Sequence, residues 1–163
     1  MEITLCTIGF AGKTAEQFFF LLAEAGVRRV LDIRENRSGQ LSGYAKHPDL
    51  TFFLQRIAGI EYAHEPRLAP TSEMRKAYRA SKDWAQYEAV FLALMRDRGF
   101  PGAVEVPVEG GTLALLCSEP GPEKCHRRLV AELLVKHLGD QGHAVHIRHL
   151  VTEKTAPKKR RKK

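Results

Sequence analysis

The stretch TLALLCSEPGPEKCHRRLVAELLVKHLG at residues 112–139 decides the fold class of this chain. Its first part, Thr112 to Leu116, is a short and mainly apolar run of the kind that forms a buried strand. Pro122 suits the first turn of a long helix, which we expect to reach His137 and to stop at Gly139. A buried strand followed by a short loop and a long helix is the repeating unit of layered α/β folds.

Strand-like and helix-like segments alternate along the rest of the chain. Four more strands are expected, at residues 3–8, 29–33, 60–63 and 144–147. Thr14 and Gln17 match a capping box at the start of a first helix, and Asp49 and Asp83 suit the starts of the next two. The order β-α-β-α-β-α-β-α-β predicts a three-layer α/β sandwich with a mostly parallel central sheet, formed by residues 1–151 as a single domain.

Length and composition exclude several classes of protein. The 163 residues suit one domain, and a hydrophobic content of 44% excludes wholesale disorder. No apolar run approaches the ~20 residues that a membrane-spanning helix needs. The first residues, MEITLCTIGF, place no basic region before an apolar one, so we expect no secretory signal and a cytoplasmic protein.

The net charge of +7 lies mostly in the C-terminal tail. Residues 152–163 hold seven Lys or Arg and one Glu, a net of +6, whereas the preceding 151 residues hold 19 basic and 18 acidic side chains, a net of +1. Because the tail lacks large apolar side chains, we expect it to be disordered and to tether nucleic acid non-specifically. The alternative is an extension without a partner. Its terminal cations are Lys158, Lys159, Arg160, Arg161, Lys162 and Lys163.

Candidate site residues, most of them polar, follow the expected strands. The carboxyl ends of a parallel sheet would bring these residues together. They are Gly9, Phe10, Asp32, Arg34, Tyr62, His64, Cys117, Glu119, Cys125, His126 and Arg127. We expect seven of them to line one cleft, namely Gly9, Asp32, Arg34, Cys117, Glu119, His126 and Arg127. This convergence depends on the parallel sheet. It is stronger evidence for a functional site than any single residue.

Several of these stretches resemble a known family. They are TIGF at Thr7–Phe10, LDIR at Leu31–Arg34, GIEYAHEPRL at Gly59–Leu68 and LLCSEPGPEKCHRRLVAELL at Leu115–Leu134. Together they look like the "domain of unknown function 488" family of bacteria and archaea, over about residues 3–149. The resemblance implies a three-layer α/β fold and an enzyme-like polar cluster that includes His126 and Arg127, without an agreed reaction. The chain departs from the family pattern at Ala69-Pro70, where two glycines are common.

Three cysteines leave several chemistries open. An odd count in a chain without a secretory signal argues against a disulfide scaffold. Cys117 at a strand end and Cys125 at a helix start are candidate reactive thiols, and the alternative for each is a buried core side chain. A phosphatase-type loop would need Arg at position 123, which is Glu. Zinc between Cys117, Cys125 and His126 is conceivable, but adjacent Cys and His rarely reach one metal, so we expect no metal or other cofactor.

The candidate site residues fall into two groups. Catalytic candidates are Asp32, Cys117, Glu119, Cys125 and His126. Candidates for binding an anion or the substrate are Gly9, Phe10, Arg34, Tyr62, His64 and Arg127. We also expect an anion at the backbone amides of residues 123–127, where a helix begins. The alternatives are an internal ion pair between Asp32 and Arg34, a solvated Glu119, and ordinary loop positions for Tyr62 and His64.

Residues 34–82 form a basic insertion with nine basic and five acidic side chains. The aromatic residues in or beside it are Tyr44, Tyr62, Tyr78 and Trp84. This composition suits phosphate contacts and base stacking, or alternatively a solvated face. We therefore expect an enzyme that acts on a phosphate-bearing substrate such as nucleic acid or a nucleotide. The alternatives are a non-catalytic nucleic-acid-binding module and a thiol-based redox or sulfur-handling protein. NAD and ATP are not indicated, since the sequence lacks their Gly-rich fingerprints.

Overall fold

Five strands form one sheet in the computed structural model, which describes residues 1–39, 42–109 and 111–152. The strands are β1 (Glu2–Gly9), β2 (Val27–Asp32), β3 (Glu61–His64), β4 (Thr112–Cys117) and β5 (Ala144–Leu150). Their order across the sheet is β3-β2-β4-β1-β5, and every neighbouring pair is parallel. The predicted mostly parallel sheet is confirmed, and it is parallel throughout.

Five helices accompany the sheet in the described part of the chain. They are α1 (Ala15–Glu24), α2 (Asp49–Ala58), α3 (Ser72–Ser81), α4 (Trp84–Asp97) and α5 (His126–Asp140). α1 and α2 cover one face, where Phe18 and Leu54 are buried. α4 and α5 cover the other face, where Phe91 and Val130 are buried. The predicted three-layer α/β sandwich in a single domain is confirmed.

Successive residues of the central strands point to opposite faces of the sheet and so into two different cores. In β4, Leu113 and Leu115 pack under α4 and α5, whereas Ala114 and Leu116 pack under α1 and α2. A strand buried on both faces needs apolar residues at every position rather than at alternate ones. This explains the continuous apolar run by which β4 is recognised in the sequence.

The helices that follow β2 and β4 lie on opposite faces of the sheet. β2 leads through α2 on one face, and its neighbour β4 leads into α5 on the other. When two adjacent parallel strands send their connections to opposite faces, a crevice opens beyond their carboxyl ends. The fold therefore places a crevice where Asp32 ends β2 and Cys117 ends β4.

The predicted helix starts agree with the structure at two places and differ slightly at a third. Thr14 caps α1 in a capping box with Gln17, and Asp83 caps α4 by accepting a hydrogen bond from the Gln86 amide. Asp49 is the first residue of α2 rather than its cap, which is the preceding proline.

Two other helix predictions need correction. The sequence interpretation includes no helix at Ser72–Ser81, because this stretch is mostly polar and charged; Met74 and Tyr78 pack against the core but stay partly exposed. The last helix begins at His126, with Cys125 as its N-cap, and not at Pro122. The segment before it belongs to a loop that is tied to the loop after β1, where the Ala11 amide donates to the Ser118 carbonyl at 3.0 Å.

No helix in the described ranges is long and apolar enough to cross a membrane. The predicted basic tail covers residues 152–163, of which all but Thr152 lie outside the described residues.

Candidate functional site

A cleft of about 570 Å³ lies at the carboxyl edge of the sheet, beyond β2 and β4. One wall consists of residues 34–36, which directly follow β2. A second wall consists of Ser118 and Glu119 after β4 and of residues 124–126 around the start of α5. The third wall is formed by α3 and the first turn of α4. The cleft therefore occupies the crevice that the strand order creates.

Cationic side chains dominate the charge of the cleft. They are Arg34, Arg75, Arg79, Lys82 and Lys124, against the two carboxylates of Glu35 and Glu119. Arg75 forms an ion pair with Glu35 across the mouth of the cleft. The walls therefore keep an excess of positive charge, which favours an anionic ligand.

Aromatic rings form a continuous patch on the third wall. Tyr78, Trp84 and Tyr87 all line the cleft. The rings of Trp84 and Tyr87 stack with centroids 4.9 Å apart, and Tyr78 meets Tyr87 at 5.4 Å. These π-faces sit beside the cationic side chains, so the cleft offers contacts both to a flat ring and to a negative charge.

Asp32 and Arg34 form a buried ion pair. Arg34 donates from Nε to Asp32 Oδ1 at 2.8 Å and from Nη2 to Asp32 Oδ2 at 2.7 Å. The Tyr62 hydroxyl donates to the same carboxylate at 2.7 Å, and Arg34 also donates to the Ala45 carbonyl. Burial raises the pKa of Tyr62 to about 12, so this hydroxyl keeps its proton. Asp32 and Arg34 were interpreted either as catalytic and anion-binding residues or as an internal ion pair. The geometry fits the internal ion pair, since Asp32 is fully buried.

Two further candidates support this ion pair rather than face the cleft. His64 Nε2 donates to the Arg34 carbonyl at 2.7 Å. The Arg34 guanidinium lies 5.3 Å from the centre of the Phe10 ring, within cation–π range. Both contacts fix where Arg34 projects. Neither His64 nor Phe10 is among the cleft-lining residues.

Gly9 lets the loop after β4 approach the end of β1. A Cβ at this position would lie 1.5 Å from the Glu119 carbonyl oxygen and 2.6 Å from Arg127 Nη1. The Phe10 and Ala11 amides donate to the carbonyls of Cys117 and Ser118. Gly9 is therefore required by close packing of the backbone and not by contact with a ligand.

Arg127 is a fully buried cation. Its Nε donates to Thr7 Oγ1 at 3.2 Å, and its Nη1 donates to Cys117 Sγ at 3.0 Å and to the Glu119 carbonyl at 2.6 Å. Its Nη2 has no hydrogen-bond partner within the described residues. Burial by itself lowers the pKa of Arg127. The neighbouring thiol groups of Cys117 and Cys125 raise this pKa by more than burial lowers it, so the guanidinium stays charged.

Cys117 and Cys125 meet directly behind the cleft. Their sulfur atoms are 2.9 Å apart, and both thiols are free. Burial opposes a charge on Cys117, but hydrogen bonding from Cys125 and the charge of Arg127 outweigh it, so the pKa of Cys117 falls to about 7. Burial and the neighbouring Cys117 raise the pKa of Cys125 well above its usual value. Of the two thiols, Cys117 is therefore the one that loses its proton first as the pH rises.

His126 lies at the rim between the cysteines and the cleft. Its Nε2 donates to the Ile33 carbonyl at 3.1 Å, which leaves Nδ1 facing Cys125 Sγ at 3.9 Å. Burial lowers the pKa of His126 to about 4 against the opposing effect of the Ile33 carbonyl. The ring is therefore neutral at neutral pH, with the lone pair of Nδ1 directed toward Cys125 Sγ.

The seven residues expected to line one cleft all reach the same edge of the sheet. Arg34, Glu119 and His126 line the cleft. The other four form a buried layer behind it, and they are Gly9, Asp32, Cys117 and Arg127. Cys125 also lines the cleft, although it is only 2% exposed. No group of three or more His, Cys, Asp or Glu side chains in the described residues is arranged to hold a metal ion.

The basic insertion at residues 34–82 does not act as one surface. Arg75, Arg79 and Lys82 face the cleft, whereas Arg56 lies over Phe52 on α2. Of its aromatic residues, Tyr44 donates to backbone carbonyls beside α1. The insertion thus reaches the cleft at two places, at residues 34–36 of the first wall and through α3 in the third wall.

Sequence reasoning missed several side chains of the site. Besides the residues on α3 and Tyr87 of α4, these include Lys13, which is 7% exposed and donates to the Pro120 carbonyl at 3.4 Å. Burial and the nearby charge of Arg127 lower the pKa of Lys13 to about 8. The position of Lys13 after β1 was the available signal, since it follows Gly9 and Phe10 at the same strand end.

A family model described as "Domain of unknown function DUF488" matches residues 14–134. The chain belongs to the DUF488 family. The resemblance drawn from the sequence motifs is confirmed, over a shorter range than the 3–149 expected from them. The DUF488 match includes the ends of β2 and β4 and the start of α5, so it covers all three walls of the cleft. No curated protein and no solved structure matches this DUF488 chain.

Proposed function

We propose that this DUF488 protein is an enzyme that acts on a phosphate-bearing aromatic substrate, a nucleotide or single-stranded nucleic acid, in the cleft beyond β2 and β4. The observation that carries the proposal is the composition of the third wall. It presents Arg75 and Arg79 beside the stacked rings of Trp84 and Tyr87. Nucleotides combine a negative phosphate with a flat base, and they are bound by cations beside aromatic faces.

The phosphate has a second source of contacts on the opposite wall. The first turn of α5 begins at His126, and the side chain of its N-cap residue, Cys125, makes no capping hydrogen bond to the amides of this turn. Free amides at a helix start attract anions, and Lys124 precedes them on the same wall. A phosphate between this turn and Arg79 would leave the base near Trp84.

Glu119 and His126 are the groups best placed to move a proton. Both line the cleft, and Glu119 is exposed to solvent. The neutral His126 ring presents Nδ1 as an acceptor. Asp32 takes no direct part in this proposal, because Arg34 and Tyr62 occupy its carboxylate. It acts as a positioning residue for Arg34.

A non-catalytic nucleic-acid-binding module is the second candidate function. The observation that favours it is the burial of Asp32, Cys117 and Arg127, whose partners are internal. Under this alternative the polar layer only supports the loops of the cleft. Ligand binding is common to both functions, and turnover separates them.

Charge reversal on α3 tests the binding site. Arg79→Glu is expected to weaken binding of adenosine monophosphate at least about tenfold and to lower the salt dependence of oligonucleotide binding by about one phosphate contact. Lys76→Glu is the matched control, since Lys76 lies on the same helix outside the cleft lining and changes the net charge equally. Titration calorimetry with the nucleotide and fluorescence anisotropy with a single-stranded oligonucleotide measure the two effects.

Adenosine without phosphate is expected to bind the unmodified protein at least about tenfold more weakly than the nucleotide. If Arg79→Glu and Lys76→Glu lost equal amounts of nucleotide affinity, the nucleotide would be attracted by the overall charge of the protein and not by a site in the cleft. Glu119→Gln is expected to keep the nucleotide affinity and to lower any turnover about a hundredfold. If the unmodified protein turned over no nucleotide or nucleic acid, the non-catalytic binding module would be the remaining candidate function.

The basic tail is proposed to tether nucleic acid independently of the cleft. Removing residues 152–163 takes away a net charge of +6. We expect weaker binding to duplex and single strands alike and a flatter salt dependence, because counterion release drives such binding. Nucleotide binding in the cleft is expected to stay unchanged. Filter binding over a range of salt concentrations provides the measurement, and an unchanged affinity and slope would contradict the tethering role.

A further inference from the structure

Two cysteines that are separated in the chain meet at the base of the cleft. Cys117 is the last residue of β4, and Cys125 is the N-cap of α5. The seven residues between them form the loop that bears Glu119. With the sulfur atoms 2.9 Å apart and both thiols free, the pair needs no large rearrangement of the loop to react internally.

No carboxylate among the described residues forms an ion pair with Arg127. The guanidinium is fully buried, and its three hydrogen-bond partners are Thr7 Oγ1, the Glu119 carbonyl and Cys117 Sγ. A buried charge is costly unless an opposite charge accompanies it. Of these partners, only the Cys117 sulfur can become an anion. The surroundings of Arg127 thus favour Cys117 as a thiolate that accepts a hydrogen bond from the Cys125 thiol.

The two sulfur atoms differ in access from outside. Cys125 lines the cleft, whereas Cys117 has no exposed surface and lies behind it. A reagent in the cleft therefore meets Cys125 first. Cys117 can only react with a group that is already bound to Cys125. This division between an outer and an inner thiol is the arrangement that a dithiol needs to resolve a mixed disulfide.

We propose that Cys117 and Cys125 form a redox-active dithiol that exchanges with small disulfides carrying acidic groups. The acidic groups are specified by the cleft itself, which presents Arg75, Arg79 and Lys124 around the access to Cys125. The proposal goes beyond the nucleotide-binding function. Its dithiol is argued from the cysteines and Arg127, whereas its preference for acidic disulfides rests on cations that the proposed nucleotide site also uses.

The exchange balances in two steps. Cys125 passes its proton to Cys117 along their hydrogen bond and attacks one sulfur of the small disulfide. A mixed disulfide with Cys125 forms, the original S–S bond breaks, and one thiolate leaves with the electron pair. Cys117 then releases its proton to solvent and attacks Cys125 Sγ, which displaces the second thiolate. The protein dithiol is oxidised by two electrons, and the small disulfide is reduced to two thiolates, one of which can take up the proton that Cys117 released while the other is protonated by water.

Oxidised glutathione is the probe that tests this exchange on the full, reduced chain. Intact mass is expected to fall by two hydrogens without a glutathione adduct, and peptide mapping is expected to link Cys117 to Cys125. Dithiothreitol is expected to restore the starting mass. Cystamine, a cationic disulfide, is expected to react at least about tenfold more slowly, because the cleft repels it.

Single substitutions assign the roles of the two thiols. Cys117→Ala is expected to stop the reaction at a glutathione adduct on Cys125. Cys125→Ser is expected to give neither adduct nor disulfide, and serine suits this N-cap position, so the variant keeps its helix start. Cys6→Ala is the matched control, because Cys6 packs under α1 and α2 and is expected to leave the reaction unchanged.

Circular dichroism during the reaction shows whether the chain stays folded. Several results would overturn the proposal: no mass change in the folded protein, an adduct on Cys125 that Cys117 never resolves, equal modification of Cys6, or a disulfide that dithiothreitol does not reduce. Nucleotide affinity is measured on the unmodified reduced chain and on Cys6→Ala, in which the residues that line the cleft are intact, so failure of the dithiol and failure of the proposed function are separate results.

Discussion

Replacing Gly9 with alanine is expected to lower the free energy of unfolding by about 3 kcal/mol or more, at the upper end of overpacking effects. The added Cβ would lie 1.5 Å from the Glu119 carbonyl oxygen, which is a backbone atom and has no alternative rotamer. The loop after β4 must move away from β1 to make room. The same movement displaces Arg127 and Glu119, so the cleft loses its second wall. Urea unfolding followed by circular dichroism measures the change.

Gly139→Ala is the matched control for this prediction. Gly139 lies inside α5, and an added Cβ there meets no atom within 4 Å. Alanine in a helix interior is favoured over glycine, so we expect this variant to be about 0.5–1 kcal/mol more stable than the starting protein. Replacing glycine with alanine is thus expected to lower the free energy of unfolding at Gly9 and to raise it at Gly139. A Gly9→Ala variant as stable as the starting protein would contradict the close approach of the loop.

Removing the charge of Asp32 is expected to lower the free energy of unfolding by about 3–5 kcal/mol. Asp32→Asn leaves the buried guanidinium of Arg34 without an anionic partner and weakens the contact with the Tyr62 hydroxyl. Arg34 also lines the cleft, so we expect weaker nucleotide binding in the fraction that remains folded. Urea unfolding gives the stability, and calorimetry gives the affinity.

An exposed ion pair provides the comparison for Asp32. Arg29 and Glu61 pair across β2 and β3 with side chains that are 33% and 63% exposed. Glu61→Gln removes the same kind of charge and is expected to cost less than about 1 kcal/mol, because solvent screens the pair. If Asp32→Asn were no more destabilising than Glu61→Gln, water would reach the Asp32–Arg34 pair in solution.

The layered fold could be predicted because its signals are local. The central strands are buried on both faces, so runs such as Leu113–Leu116 are apolar without interruption. Capping residues such as Thr14 mark where helices begin, since their side chains satisfy free amides within the same turn. α3 was missed because its residues are mostly polar or charged, and Met74 and Tyr78, which pack against the core, are only partly buried.

The candidate site could be predicted only at the strand ends. The parallel sheet brings Arg34 and Glu119 to one edge, and this follows from topology alone. Whether a side chain points into the cleft or away from it depends on packing between distant segments. Arg127 illustrates this, since a charged residue next to other cations is expected at the surface but is fully buried. The α3 part of the third wall was missed because α3 is placed by its contacts with α4, which the local sequence does not reveal.

The wall formed by α3 also has a meaning for the evolution of this protein. Because α3 contributes no buried residue, its outward positions can change without disturbing the sheet or the buried layer of Asp32, Cys117 and Arg127. If the proposed function is right, α3 would tune the choice of ligand, whereas the buried layer behind the cleft would keep the other site residues in place. Related chains can diversify what they recognise through one surface helix while the interior stays under strict constraint.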